Sequence, residues 1–130
     1  MANSAYNAHE LEFQFTDSRA KLIFTSEEGA VVARQTLKNM GLSAAEADKK
    51  LILIPDSLDW LGGPSTPVKP EVANLTKVPE LLTLGSLARE EKFDGQLANE
   101  TVYLCYSSGT TGKPKGVEVS LHIRVRLGEI

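Results

Sequence analysis

Apolar and polar positions alternate in two rhythms along the first half of the chain. Ala8, Leu11 and Phe15 recur at helical spacing and fall on one face. Asn7 stands before them as a cap with Glu10 three positions on, a capping-box pair with Asn in place of Ser or Thr. The run Ala20-Lys21-Leu22-Ile23-Phe24-Thr25 then reads as a short strand. Ser26 opens the next helix, Glu27 and Glu28 suit its positive N-terminus, and Gly41 fits its stop. Ser43-Ala44-Ala45-Glu46 is a second capping box and starts a short helix to about Lys50. Leu51-Ile52-Leu53-Ile54 follows as a buried strand. Strand–helix–strand order with strands this short predicts an α/β fold, a partial and mostly parallel layered sheet with flanking helices.

The second half is less regular. Gly62-Gly63-Pro64-Ser65-Thr66-Pro67, with Pro70, must be loop. Trp60 beside it reads as the seal of a small core's edge, the alternative being a ligand platform. Short helices are expected around Leu81 and Leu87, and Arg89-Glu90-Glu91-Lys92 reads as a solvated face of mixed sign. No internal repeat is present. Thr101-Val102-Tyr103-Leu104-Cys105-Tyr106 predicts a buried strand, and Gly116-Val117-Glu118-Val119 alternates like an edge strand.

Composition excludes some classes. The net charge of −3 gives no basic field for nucleic acid or an anionic membrane. No apolar run approaches the ~20 residues that span a bilayer, and no basic stretch precedes an apolar one at the N-terminus. The single cysteine, Cys105, cannot form an internal disulfide and is expected as a small core residue in a reducing compartment. His9 and Glu10 could be a metal pair, but no third ligand is near and a solvated first turn is the simpler reading. These features point to an intracellular, cytoplasmic protein, with a peroxisomal location the alternative for an intact parent.

Between the two later strands lies the densest chemistry, Tyr106-Ser107-Ser108-Gly109-Thr110-Thr111-Gly112-Lys113-Pro114-Lys115-Gly116. Its glycines let backbone N–H groups turn toward an anion, and its hydroxyls and ammonium groups add donors and charge. A Walker loop needs four residues between its glycines and a Ser or Thr after Lys, whereas Gly109 and Gly112 enclose two and Pro114 follows Lys113. A dinucleotide fingerprint fails because no two glycines of the run lie two apart. The remaining alternative is a polar linker, against which stand the strands on either side.

Over Ser107 to Gly116 the order Gly-Thr-Thr-Gly-x-Pro-Lys-Gly resembles the phosphate loop of the AMP-forming adenylating enzymes. Asn3-Ser4-Ala5-Tyr6 and Asp17-Ser18-Arg19-Ala20-Lys21 resemble that family's Asn-Pro-x-Tyr and Asp-Ser-x-Ala-Lys, with Ser4 in place of the proline. In overall pattern the chain is most similar to the coumarate-CoA-ligase and acyl-CoA-synthetase branch.

The resemblance implies an ATP- and Mg-dependent ligase that activates a small-molecule carboxylic acid as an acyl-adenylate and passes it to coenzyme A. It implies that Ser107, Ser108, Thr110 and Thr111 donate to the β- and γ-phosphates, that Gly109 and Gly112 allow close approach, and that Lys115 supplies charge. Pro114 stiffens the loop's exit, and Lys113 falls at the family's variable position. The family's later Tyr-Gly-x-Thr-Glu segment and its terminal-domain lysine have no counterpart, and Leu121 separates Ser120 from His122 where a Ser/Thr-His pair is expected. The chain is therefore expected to be a partial adenylation domain over 1–130, with the phosphate loop at 107–116, an atypical end at 117–130, and no catalytic residue or metal ligand of its own. The alternative is a non-catalytic remnant that binds a partner or ATP weakly.

Overall fold

The computed structural model describes residues 2–86, 88–89, 94–107 and 114–120. The expected helix around Leu87, most of the 89–92 charge cluster, the loop positions 108–113 and His122 lie outside these. The chain divides into two compact units, one over Ser4–Gly85 and one holding the residues from Ser86 onward.

In the first unit, helix α1 (Ala8–Asp17) precedes strand β1 (Ile23–Thr25), helices α2 (Gly29–Asn39) and α3 (Ala44–Asp48), strand β2 (Leu51–Leu53), strand β3 (Thr76–Lys77) and helix α4 (Val78–Leu82). The sheet order is β1-β2-β3 and both pairings are parallel, as the strand–helix–strand reading requires. Both capping boxes are formed. Asn7 Oδ1 accepts from the N–H groups of His9 and Glu10, each at 3.0 Å, while Glu10 Oε2 accepts from Asn7 N at 2.9 Å. Glu46 Oε2 accepts from Ser43 N at 3.0 Å in the second box.

Two helices end alike but with different residues. At the end of α2, Gly41 sits at φ +89°, the Leu42 N–H reaches Leu37 O at 3.1 Å and the Gly41 N–H reaches Lys38 O at 2.9 Å. At the end of α1, Arg19 takes the same left-handed role at φ 54°, with Ala20 N on Phe15 O and Arg19 N on Thr16 O. A Cβ at such a position costs on the order of 1 kcal/mol relative to glycine.

Register puts Ile23, Thr25, Leu51 and Leu53 on one face of the sheet. That face meets Ala30, Ala33 and Leu37 of α2, Phe15 of α1, Ala47 of α3, and Val72 and Leu75 of the approach to β3 in a single core. α2 packs against α1, α3, β1 and β2. The buried Thr36 Oγ1 shares its hydrogen between Val32 O at 2.9 Å and Ala8 O at 3.1 Å, tying α2 to the start of α1. On the other face Ile52 is buried, while Leu22, Phe24 and Ile54 are exposed.

The connection from β2 to β3 closes on itself. Ser57 Oγ accepts from Thr66 N at 3.1 Å, Leu58 N donates to Pro64 O at 3.0 Å, and Gly63 N donates to Leu58 O at 2.8 Å. Trp60 is half-buried there and donates its indole N–H to Ser57 O at 3.0 Å, outside the core cluster. It fastens this loop and does not seal the core's edge as expected. Among the described residues no helix is long and apolar enough to cross a membrane.

Candidate functional site

The second unit carries an antiparallel hairpin of β4 (Thr101–Ser107) and β5 (Lys115–Ser120). Both strands are predicted by sequence, and β-branched and aromatic residues from Val102 to Tyr106 favour the pleated conformation. The pairing runs Tyr103↔Val119, Leu104↔Glu118, Cys105↔Val117, Tyr106↔Gly116 and Ser107↔Lys115, with an irregularity only between Thr101 and Tyr103. Thr101 Oγ1 donates to Glu118 Oε2 at 3.1 Å near that end.

Burial departs from expectation. Only Leu104 and Tyr106 of β4 are half-buried, and Val102, Tyr103 and Cys105 are exposed. Strand formation follows from local residue type, but a buried strand needs layers on both faces, and among the described residues the sheet of β4 has two strands. Cys105 is therefore a surface thiol and not a core residue.

Of the seven candidate phosphate-binding residues, Ser107 and Lys115 are described, and the structure brings them together as the last cross-strand pair. Ser108, Gly109, Thr110, Thr111 and Gly112 fall outside the described residues. Pairing implies a common face, so Ser107, Lys115, Cys105 and Val117 share one side of the hairpin and Tyr106 and Gly116 the other. Both Ser107 and Lys115 are exposed. Pro114, which has no N–H to lose, stands just outside the first paired residue of β5.

A Cβ placed on Gly116 would lie 3.2 Å from Tyr106 Cζ and 3.4 Å from its Cε1 and hydroxyl oxygen. The tyrosine ring thus lies over the glycine across the strands.

Two polar constructions in the Ser4–Gly85 unit were not legible in sequence. Arg34 donates from Nε to Asp48 Oδ1 at 2.7 Å, from one terminal nitrogen to Glu71 O at 2.6 Å, and from the other to Asn74 Oδ1 at 3.0 Å. Asn74 Nδ2 closes the ring on Asp48 Oδ2 at 2.7 Å. Glu27 does more than complement the dipole of α2: it is buried and accepts the N–H groups of Lys69 at 3.0 Å and Asp56 at 3.5 Å. The partners lie up to 42 residues away, so no local spacing reveals them. Ser26 does cap the helix start, its Oγ accepting from Gly29 N at 3.2 Å.

Beside Glu27, Glu28 pairs with Lys69 Nζ. That hydrogen bond is the main cause holding the Glu28 carboxyl below its ordinary value and the Lys69 ammonium above its own. Glu10 is engaged in its capping box, and among the described residues no group of three or more His, Cys, Asp or Glu could hold a metal ion.

Residues 1–125 match the family described as AMP-binding enzyme. The chain belongs to that family. It is 30% identical over 119 residues to Acyl-CoA synthetase 7 of Caenorhabditis elegans, covering 92% of this chain and 18% of that protein. To the oxalate–CoA ligase of Arabidopsis thaliana it is 30% identical over 118 residues, covering 91% of this chain and 19% of the ligase. A long-chain-fatty-acid–CoA ligase of Rattus norvegicus is 41% identical over 58 residues, 42% of this chain and 8% of the ligase. The chain thus spans less than a fifth of the length of the first two relatives. No solved structure matches. Membership in the AMP-binding and acyl-CoA-synthetase superfamily, and a sheet that is mostly parallel and flanked by helices, agree with what the loop motif implies.

Proposed function

We propose that this chain supplies the ATP-phosphate loop of an AMP-forming acid–CoA ligase, with Ser107–Gly112 and Lys115 cradling the β- and γ-phosphates. The observation that supports it most is the register that makes Ser107 and Lys115 cross-strand partners on one face at the described end of the hairpin. Both are polar, exposed and on one face, as an anion site requires.

Bound ATP would supply an α-phosphorus open to attack by a carboxylate. The chain's own residues bind and orient the outer phosphates and offset their charge. A charged hydrogen bond of this kind contributes roughly 1.5–3 kcal/mol. Lys113, at the family's variable position, is assigned no phosphate contact. Mg, held as a rule by one or two carboxylates together with the phosphates themselves, would arrive with ATP, and none of the described residues is assigned to it. Activation of the acid and transfer to coenzyme A belong to that intact enzyme, because a phosphate loop without an opposing wall cannot align a carboxylate for attack.

The test is displacement of a fluorescent ATP analogue from the chain. Pyrophosphate and ATP compete on this reading, and AMP, which lacks the outer phosphates, competes at least tenfold more weakly. Equal competition by AMP and pyrophosphate would remove the assignment of these residues to the β- and γ-phosphates.

A further inference from the structure

Ser107↔Lys115 is the last described cross-strand pair of the hairpin, and the pair behind it is unusual. Tyr106 and Gly116 face one another, and the phenol ring covers the glycine so closely that a methyl group there would meet Cζ at 3.2 Å. An isolated two-stranded ribbon is marginally stable, and a strand glycine weakens it further by offering nothing to pack. An aromatic ring laid across such a glycine restores the missing apolar contact. Tyr106 is half-buried while its neighbours Cys105 and Ser107 are exposed.

We infer that Tyr106 is a positioning residue: its ring, seated on Gly116, locks the hairpin register that sets Ser107 beside Lys115 for phosphate binding. The inference rests on the phosphate-loop reading but places Tyr106 on the opposite face from those two side chains, so it acts through them and not on the phosphate. It also gives Gly116 a separate duty. Its missing side chain makes room for the ring, whereas the glycines inside the loop are assigned to phosphate approach. A one-residue slip would send Lys115 to the other face.

The experiment compares the chain with Tyr106→Phe, Tyr106→Ala, Gly116→Ala and the double variant Gly116→Ala/Tyr106→Ala. Pyrophosphate affinity by displacement and cross-strand NMR contacts between residues 107 and 115 are both read. Tyr106→Phe keeps the ring and is expected within about twofold of the parent, while Tyr106→Ala loses about tenfold and Gly116→Ala about fivefold. The double variant is expected to be no weaker than Tyr106→Ala alone, the non-additivity of two residues sharing one contact. The 107–115 contacts should fade in both single alanine variants and persist with phenylalanine.

Losses that simply add, or 107–115 contacts that survive in Tyr106→Ala, would overturn the inference. If the parent chain binds no pyrophosphate, the phosphate reading falls, and the NMR contacts alone still decide whether the ring sets the register. Should Tyr106→Ala fail to fold, Gly116→Ala against Tyr106→Phe decides, since only the former disturbs the seat.

Discussion

β2 and β4 are similar strands in different surroundings. Leu51, Ile52 and Leu53 are all buried between two parallel neighbours and a helical layer, whereas Val102 and Tyr103, both strong strand formers, stand 41% and 50% exposed in a two-stranded hairpin. The difference teaches that strand formation and strand burial have separate causes. The first follows from residue type, the second from how many layers meet. The parallel unit draws its order from a core, while the hairpin draws it from cross-strand pairs, which suits the proposed phosphate site by pairing Ser107 with Lys115.

The comparison breaks first in the core. Leu53→Ala should cost about 2–5 kcal/mol, because it empties a fully buried position. Leu104→Ala, half-buried in the hairpin, should cost about 1 kcal/mol or less. Urea unfolding of both variants measures the contrast, and equal losses would show that the hairpin is as deeply packed as the sheet.

On the hairpin side the expected loss is in binding. Lys115→Ala should weaken ATP displacement about ten- to a hundredfold by removing a charge-assisted contact worth roughly 1.5–3 kcal/mol, with the unfolding midpoint little changed. Lys113→Ala should stay within about twofold. The reverse ranking would mean that the roles of the two lysines are exchanged.

Arg34→Ala should destabilise the Ser4–Gly85 unit by about 1–2 kcal/mol, discounted for partial exposure of the pair, since three segments lose their common tie. Arg34→Lys should not recover it, because an ammonium cannot span three acceptors held by a planar fork. Arg19→Gly should raise stability by about 0.5–1 kcal/mol, relieving the left-handed strain at the end of α1. Thermal midpoints report both.

The smallest effect is pH-dependent. The folded Glu28 carboxyl titrates below its unfolded value, first through the Lys69 hydrogen bond, so its contribution is fully present above about 4.5. It disappears as pH falls through the lower folded value. The midpoint difference between the parent and Glu28→Gln should therefore be slight at pH 7, shrink as pH falls below about 4.5 through the lower folded value, and diminish in high salt. A difference that grows on acidification would contradict the pairing.

Much of the parallel unit was legible because its signals are local. Asn7 with Glu10, Ser43 with Glu46, and Gly41 after α2 each lie within four residues of what they satisfy, and all three form as read. What was missed is tertiary. β3 is two residues long and too short to show a period. Glu27 looks like any acid at a helix start until the chain returns at Asp56 and Lys69. The candidate site divides the same way: the strands on either side of its motif are read from residue type, but the seat of Tyr106 on Gly116 depends on register, which no spacing in the sequence states.

The self-closed segment between β2 and β3 has an engineering consequence. Hydrogen bonds at Ser57–Thr66 and Leu58–Pro64 shut its neck, and the buried Glu27 carboxylate holds the chain on either side through Asp56 and Lys69. The tip at Gly62 and Gly63 is exposed and already in turn geometry, with Gly62 at φ +79°. Sheet registration is thereby insulated from whatever happens at that tip. A peptide tag or a split-reporter junction placed at Gly62, leaving the Gly63 N–H on Leu58 O, would extend the excursion outside the closed neck, which makes this bend the natural port for grafting.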